Sequence, residues 1–453
     1  MTKSVNAREL ILGILLEVTE NDSYSHLIIR NVLDKYQYLD KQERAFITRV
    51  SEGTIENIIL IDYIINQFSK VKVNKMKPVI RAILRMSVYQ LKYMDSVPDS
   101  AVCNEAVKLA SRKGFTNLKG FVNGVLRTIS RSRDEIKYPD ENKDKSEYLS
   151  IMYSMPRWII DKWIKEYDYN TVKEILEGFL NKNNTTIRCN LSKTTPSELK
   201  ALLEMEDIKV SPSKYLDYAF EISEYNRINA IDAFNKGMFQ IQDISSMLAI
   251  EVAGIKENDY VIDVCAAPGG KSLHAADKLH NTGHVEARDL TENKIALIQE
   301  NIARCGFHNI EAKQLDALVL DIASVEKADV VIADLPCSGL GVIAKKTDIK
   351  YKMTADKQLE LVKLQRELLT VIQSYVKPGG ILIYSTCTIN KQENHENVEW
   401  FLQNHDFELE SITNNLSNEL HSKTTDLGYI QLLPGYHGTD GFFIAKLKKA
   451  KSN

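Results

Sequence analysis

Two cysteines and three aspartates stand where an α/β chain can assemble a reactive pocket. Cys337 lies in ADLPCSGLG, three residues after Asp334, and Cys387 lies in YSTCT. Each follows an apolar, β-branched run, within ADVVIADLP and GILIYSTCT, that reads as a strand covered on both faces. Adjacent strands are about 5 Å apart, so thiols leaving two neighbouring parallel strands at the same edge share one pocket. The thiolate is the nucleophilic form of cysteine, and a cation or a helix N-terminus beside it raises the thiolate fraction. Lys271 is the candidate cation. Cys103, Cys189 and Cys305 lack such a setting and read as small hydrophobes of the core.

The other half of the chemistry is in Val261–Ser272, VIDVCAAPGGKS. Val261, Ile262 and Val264 form a strand, and Pro268, Gly269 and Gly270 break it into a tight turn before a helix whose free N–H groups face back toward the turn. Carboxylates follow at successive strand ends. Asp289, twenty residues after Gly269, is placed to accept from both ribose hydroxyls; Asp316 can reach an adenine amino group; Asp334 ends the fourth strand. The dinucleotide fingerprint GxGxxG is absent, because AAPGGKS has adjacent glycines and no third, so an adenosyl ligand without a pyrophosphate fits better. A thiolate, a carboxyl group and a methyl-donating adenosyl cofactor together suit one reaction. Thiolate addition at carbon 6 of cytosine makes carbon 5 nucleophilic toward a methyl group, while Asp334, when protonated or sharing a proton, can hydrogen-bond N3 and a second thiol can assist proton removal and expulsion of the enzyme. Spacing leaves open which of the two thiols attacks.

These residues need a scaffold, and the pattern supplies one. From about Ala233 the chain alternates strands and helices: FQIQDISSMLAIEVAG, the Gly-rich turn, then HVEARDL, IEAKQLDA, ADVVIADLP and GILIYSTCT, with FELES and GFFIAKLKK at the end. That predicts an α/β fold, a doubly wound and mostly parallel sheet whose last strand pairs antiparallel. Upstream, Leu10, Ile11, Ile14, Leu15 and Val18, and again Val79, Ile80, Ile83, Leu84, Val88 and Leu91, recur at one-face helical spacing. The charged stretch 134–147 reads as a solvated linker. The reading is thus an all-helical domain over 1–140, a small α+β module over 148–232 and the α/β domain over 233–450. Trp158, Trp163, Tyr167 and Tyr225 in the small module read as core, with base stacking as the alternative.

Bulk properties bound the partners. The 453 residues are 44% apolar and 26% charged, and no apolar run approaches the ~20 residues a membrane span needs. The N-terminus has no secretory pattern, so a cytoplasmic protein is expected, with no membrane partner. Six cysteines without a CxxC pair argue against both metal and disulfides. Residues 1–140 hold 22 Lys/Arg against 16 Asp/Glu, a net +6, which leaves −9 for the remainder of a chain at −3. Lys113, Lys119, Arg127, Arg131 and Arg133 are the candidate basic face for a polyanion.

The segments CNEAVKLA and FVNGVLR resemble the NusB family of all-helical RNA-binding domains. Over nearly its whole length, and in IRCN (Ile187–Asn190), FQIQDISS, DVCAAPGGKS, ADLPCSGLGVI, YSTCTI and DGFFIAKL, the chain resembles the RsmB (Sun/Fmu) family of S-adenosylmethionine-dependent 16S rRNA cytosine-C5 methyltransferases. Leu335 before Pro336 and Cys189 in the strand motif depart mildly from that pattern. The resemblance implies a Rossmann-like class I methyltransferase domain, preceded by a small α+β module and a NusB-like domain. S-adenosyl-L-methionine is the implied cofactor, held by Cys265, Ala266, Ala267, Pro268, Gly269, Gly270 and Lys271 with Asp289, Asp316 and Asp334. It further implies 16S ribosomal RNA as partner, the cytosine-967 class of target, Cys387 as nucleophile, Cys337 for product release and Lys271 as a supporting group; a monomer is expected. The competing readings are a DNA methyltransferase, in which the Pro-Cys thiol attacks, and a non-catalytic RNA-binding assembly protein.

Overall fold

In a computed structural model, which describes residues 6–181 and 184–451, the N-terminal pattern becomes the helices Ala7–Glu20, Ser25–Lys35, Lys41–Glu56, Ile58–Phe68, Pro78–Tyr93, Asp99–Arg112 and Lys119–Arg131. Their apolar stripes meet in one core: Ile11, Ile14, Leu15 and Val18 are buried with Ile80, Ile83, Leu84, Val88 and Leu91. Leu10 and Val79, at the margins of the two stripes, are only partly covered. Gly114 adopts a φ of 86°, the left-handed conformation that stops the helix ending at Arg112.

Two compact units divide the chain: 1–177 with 343–354, and 178–342 with 355–453. Residues 148–177, which follow the charged stretch 134–147, fall within the first compact unit. The reason is the apolar faces of the helices Lys145–Met152 and Arg157–Glu166, which bury Leu149, Ile159, Ile160 and Trp163. The Ser154 hydroxyl between them accepts the backbone N–H groups of Ile59 (2.8 Å) and Leu60 (3.2 Å). Trp163 is fully buried, so it is core and no stacking platform.

Residues 343–354, which the strand–helix pattern left inside the α/β domain, also belong to the helical unit. The Asp348 carboxylate, 1% exposed, accepts from the backbone N–H (3.2 Å) and hydroxyl (2.5 Å) of Ser25 at the first turn of Ser25–Lys35, and lies 3.1 Å from the Lys352 ammonium. Lys350 donates to the Glu56 carbonyl at 2.9 Å, and so does the Tyr351 hydroxyl.

The second unit holds two sheets. The smaller is antiparallel, in the order β2-β3-β1-β4, from β1 (Thr185–Cys189), β2 (Lys209–Pro212), β3 (Ala219–Ser223) and β4 (Phe239–Ile241). A capping box of Thr195 and Glu198 starts the helix Pro196–Met205 that accompanies it. Phe239–Ile241, read from the sequence as the opening strand of the α/β domain, pairs with β1 instead. Three residues cannot distinguish two sheets by their own pattern; the cross-strand partners do.

The larger sheet comprises β5 (Tyr260–Asp263), β6 (His284–Asp289), β7 (Ile310–Gln314), β8 (Ala328–Asp334), β9 (Val376–Thr386), β10 (Phe407–Leu409), β11 (Tyr429–Leu432) and β12 (Phe442–Lys449). Its order is β10-β12-β9-β8-β5-β6-β7, with β11 pairing β12 beyond the end of β10. The five strands β5 to β9 are parallel and β12 is antiparallel to β9, the expected doubly wound α/β arrangement. The four-residue β11 has no strong sequence signature and went unread. Among the described residues no helix is long and apolar enough to cross a membrane.

The buried Asp348 carries a prediction. Asp348→Ala removes the acceptor for two Ser25 donors and the partner of Lys352, so denaturant unfolding of the helical unit should show a loss of roughly 1–3 kcal/mol. An unchanged midpoint would mean that Asp348 contributes nothing to that unit.

Candidate active site

The carboxyl ends of β5, β8 and β9 converge because the three strands are parallel neighbours in register: Asp263 lies opposite Ile332, and Asp334 opposite Ser385. Two residues beyond Ser385 comes Cys387, and three beyond Asp334 comes Cys337. Their sulfurs are 3.3 Å apart, and both are free thiols. The hydrogen bond to Cys387, then burial, then the charges of Cys387 and Glu393 push the Cys337 thiol well above its ordinary value. The Cys337 thiol is held in its protonated form, and either sulfur can donate in the sulfur–sulfur contact.

Both thiol segments are held by backbone. The N–H of Gly341 donates to the Cys387 carbonyl at 3.0 Å, and the N–H of Gly441 donates to the Gly341 carbonyl at 2.9 Å. A Cβ at Gly341 would lie 1.9 Å from the Gly441 oxygen, so only glycine permits this approach.

The Lys271 ammonium is 2.6 Å from Asp334 and lies 5.2 Å from the centre of the Phe442 ring. Burial pulls its pKa down, but the Asp334 carboxylate and, after it, Asp263 and Cys387 outweigh burial and leave it raised. Lys271 is thus a permanent cation at the strand ends. The other Asp334 oxygen accepts from the Ser385 hydroxyl at 3.0 Å.

Around the turn, Gly269 has a φ of 103° and caps the helix Gly270–Lys278, the one position here where the backbone demands glycine. At Gly270 an added Cβ would meet only the Gln242 side chain, at 3.8 Å, which is ordinary contact. Asp289 does more than the sequence suggested. One oxygen accepts the Ala267 N–H at 3.0 Å; the other accepts the Leu290 N–H at 2.8 Å and the Lys294 ammonium at 2.9 Å. It holds the turn in place and, with about four acceptor positions on a carboxylate, keeps capacity for a ligand hydroxyl. Ala266 donates to the Arg288 carbonyl, and the Pro268 carbonyl accepts from Asn301. Asp316 lies two residues beyond β7 and is exposed, its carboxylate accepting the Leu318 N–H at 2.9 Å. Burial, followed by the charges of Asp263, Asp289 and Asp334, pushes the Cys265 thiol up, which disfavours its thiolate.

Three participants escaped the sequence reading. Asp263, at the end of β5, accepts from the Ser272 hydroxyl at 2.6 Å and so ties the strand to the helix beyond the turn. Arg188 of the IRCN segment is 1% exposed; it donates to Asp277 at 2.7 Å and to Gln242 at 3.0 Å, fastening β1 to the helix Gly270–Lys278. Glu393 is fully buried behind the two thiols. The signal for Arg188 was present, a charge between Ile187 and Cys189 in a short strand. The described residues also gather His284, Glu286 and Glu311 in a group with ligand atoms close enough for a metal ion. Lys313 already lies 2.9 Å from Glu286 and 2.6 Å from Glu311, and Arg288 meets Glu286 as well.

Burial pushes the Asp263 carboxyl from 3.8 up to about 7, against the Ser272 hydrogen bond. With a raised folded-state pKa the native protein binds more protons than the unfolded chain, so this group's contribution is full below about 4 and is lost as pH rises to about 7. Asp263→Asn should gain stability relative to the parent across that window, by up to about 1.4 kcal/mol per pH unit, and level off above it. A stability difference independent of pH would show that Asp263 titrates normally.

Three family descriptions match in succession: the NusB family over residues 5–131, the ferredoxin-like domain of RsmF/B-like methyltransferases over 155–229, and 16S rRNA methyltransferase RsmB/F over 251–448. The probable ribosomal RNA small subunit methyltransferase B of Bacillus subtilis is 36% identical over 99% of both chains. The corresponding Synechocystis protein is 30% identical, over 98% of this chain and 100% of that one. The crystal structure of PH0851 covers 98% of this chain and 99% of its own with a TM-score of 0.81 at 26% identity. A methyltransferase homolog from Pyrococcus horikoshii matches 68% of this chain and 99% of its own, with a TM-score of 0.60 at 27% identity.

Proposed function

The chain belongs to the RsmB/F family of small-subunit ribosomal RNA methyltransferases, and from that premise we propose that it methylates carbon 5 of a cytosine, of the cytosine-967 class, through a covalent adduct on Cys387. The observation that carries the reading is the pair of sulfurs 3.3 Å apart, one of them held protonated, at the edge where Lys271 and Asp334 meet. Two thiols in one pocket are what an addition followed by an elimination requires.

S-adenosyl-L-methionine, when bound, supplies an electrophilic methyl group. The residues that would hold it are Cys265–Lys271 with Asp289, Asp316 and Asp334. The fit rests on the left-handed Gly269, the free N–H groups at the helix start and the unfilled acceptor capacity of Asp289. The chain's own groups do the rest. The Cys387 thiolate, stabilised by the Cys337 S–H and by the charge of Lys271, forms a bond to carbon 6 of the ring. Electron density moves toward carbon 5 and N3, where Asp334, once it carries a proton or shares that of Lys271, donates a hydrogen bond to N3. After methylation the carbon 5 proton passes to water, its electron pair re-forms the double bond between carbons 5 and 6, and the bond between sulfur and carbon 6 breaks with Cys387 leaving as thiolate. Cys337 meets the departing sulfur and assists release.

The two thiols should separate experimentally. Cys387→Ala should neither methylate nor form an adduct. Cys337→Ala should accumulate a protein–RNA adduct that survives denaturing electrophoresis and requires S-adenosylmethionine. An adduct with Cys387→Ala instead would reverse the roles, and full methylation by both variants would sink the mechanism. Labelled methyl transfer to deproteinised small-subunit rRNA, with the modified base mapped, tests the target.

The helical unit is proposed as an RNA contact. Arg127 and Arg131 are exposed and one turn apart on Lys119–Arg131, whereas Arg133 is paired with Asp99, and Lys113 lies 3.7 Å from Glu9. Arg127→Ala with Arg131→Ala should flatten the slope of log K against log salt by about 1.4–1.8, the share of two phosphate contacts. An unchanged slope would move the RNA contact elsewhere.

A further inference from the structure

Behind the two thiols lies a polar cluster that the proposed reaction does not use directly. Glu393, on the turn Lys391–Glu393 after β9, is fully buried, yet its carboxylate is surrounded by donors. One oxygen accepts the Ser338 N–H at 2.7 Å and the Gln365 amide at 3.4 Å. The other accepts the Ser338 hydroxyl at 2.6 Å, the Asn390 amide at 2.7 Å and the Thr388 hydroxyl at 3.4 Å. Ser338 is the neighbour of Cys337, and Thr388 is the neighbour of Cys387. The far side of each thiol is held too. Gln365, on the helix Ala355–Ile372, donates to the Pro336 carbonyl at 2.9 Å. Asn394 accepts from the Thr386 hydroxyl at 2.5 Å and donates to the Thr388 carbonyl at 2.9 Å.

Core packing does not account for this arrangement. A buried carboxylate is strongly disfavoured unless charge-assisted hydrogen bonds replace its hydration, and a well-packed apolar group would fill the space at least as stably. What an apolar group cannot do is bind two loops at once through directed bonds. We propose that Glu393 is a positioning residue, a clasp joining the Pro336–Ser338 and Thr386–Thr388 segments so that the two sulfurs stay in contact through the addition and the elimination. The proposal rests on the two-thiol reading of the reaction, but the clasp itself is a statement about the resting protein.

Glu393→Gln isolates it. Size and shape are kept and the carbonyl oxygen can still accept the Ser338 N–H, but the NH2 replaces the anionic acceptor of the Asn390 amide and of the Ser338 and Thr388 hydroxyls, so the charge-assisted bonds on that side are lost and the clasp loosens without a cavity. The first readout needs neither RNA nor cofactor: iodoacetamide labelling of the folded full-length chain, mapped to individual cysteines by mass spectrometry. Cys337 should label about tenfold faster in Glu393→Gln through local opening, while the buried Cys103, Cys189 and Cys305 stay protected. The second is steady-state kinetics. Misplaced reacting groups should lower kcat about 10- to 100-fold, with KM for RNA and affinity for S-adenosylmethionine changed less than about twofold. Ser338→Ala, which removes only the hydroxyl, should move both readouts in the same direction by less.

Unchanged labelling and unchanged kcat in Glu393→Gln would overturn the clasp. So would faster labelling of all the buried thiols together with an unaffected Ser338→Ala, since that pattern is general loosening. Selective labelling of Cys337 in a protein whose parent methylates no cytosine would uphold the clasp and remove the reading of the reaction.

Discussion

The candidate site depends first on the parallel pairing of β8 with β9. With Val330–Asp334 beside Ile381–Ser385 in register, both strands end at the same height, and the residues that follow cannot avoid each other. One residue of slip would place Asp334 against a different partner and turn the alternating side chains to the opposite face. The register is protected by the cores on both sides, where Val331, Ala333, Leu382 and Tyr384 pack on one face and Val330, Ile332 and Ile383 on the other. The geometry of the candidate site is thereby inherited from apolar packing. The sulfur–sulfur distance, the Asp334–Ser385 bond and the Leu335 N–H to Ser385 carbonyl bond all follow from it.

Electrostatics then differentiates groups that the strands bring together indiscriminately. A single ammonium, Lys271, has Asp334 at 2.6 Å and feels Asp263 and Cys387 more weakly. Asp263, sealed from solvent and bonded to a serine hydroxyl, holds its proton to about 7. Cys337 is held protonated by Cys387, burial and Glu393 together. Two cysteines of identical intrinsic chemistry thus meet different surroundings, and surroundings rather than residue type are what can divide the roles of like groups.

The second unit also spends buried polar groups where an apolar core would serve stability. Arg188 with Asp277 and Gln242 fastens the small sheet to the helix that follows the cofactor turn, and Asp277 additionally accepts the N–H groups of Leu191 and Ser192. Glu393 does the same for the thiol loops. In both cases a directed, geometry-specific network replaces dispersive packing at a joint between elements. Such networks favour one arrangement over its near neighbours, because half-made hydrogen bonds in a dry interior are costly.

Much of this was legible in the sequence because it depends on short-range pattern. Periods of 3.6 and 2 separate the helical region from the α/β region, proline and glycine mark the cofactor turn, and strand ends point to Asp289, Asp334, Cys337 and Cys387. The motifs FVNGVLR and DVCAAPGGKS carried the family likeness. Other features were not legible, because each depends on a partner far away in the chain. Phe239–Ile241 is strand-like in any sheet, and only its pairing with Ile187–Cys189 decides which. Residues 343–354 contain nothing that marks them as part of the helical unit; the buried Asp348 finds Ser25 more than three hundred positions earlier. The polar stretch TINKQEN after Cys387 reads as an ordinary surface loop until Ser338, Gln365 and Asn390 are seen around Glu393. The sequence by itself determined which elements form and which side chains can react, since local periodicity and residue chemistry are properties of neighbours. Only the tertiary structure decided how close the two sulfurs come and which carboxylates are buried, since those depend on strand pairing, desolvation and hydrogen bonds closed by folding.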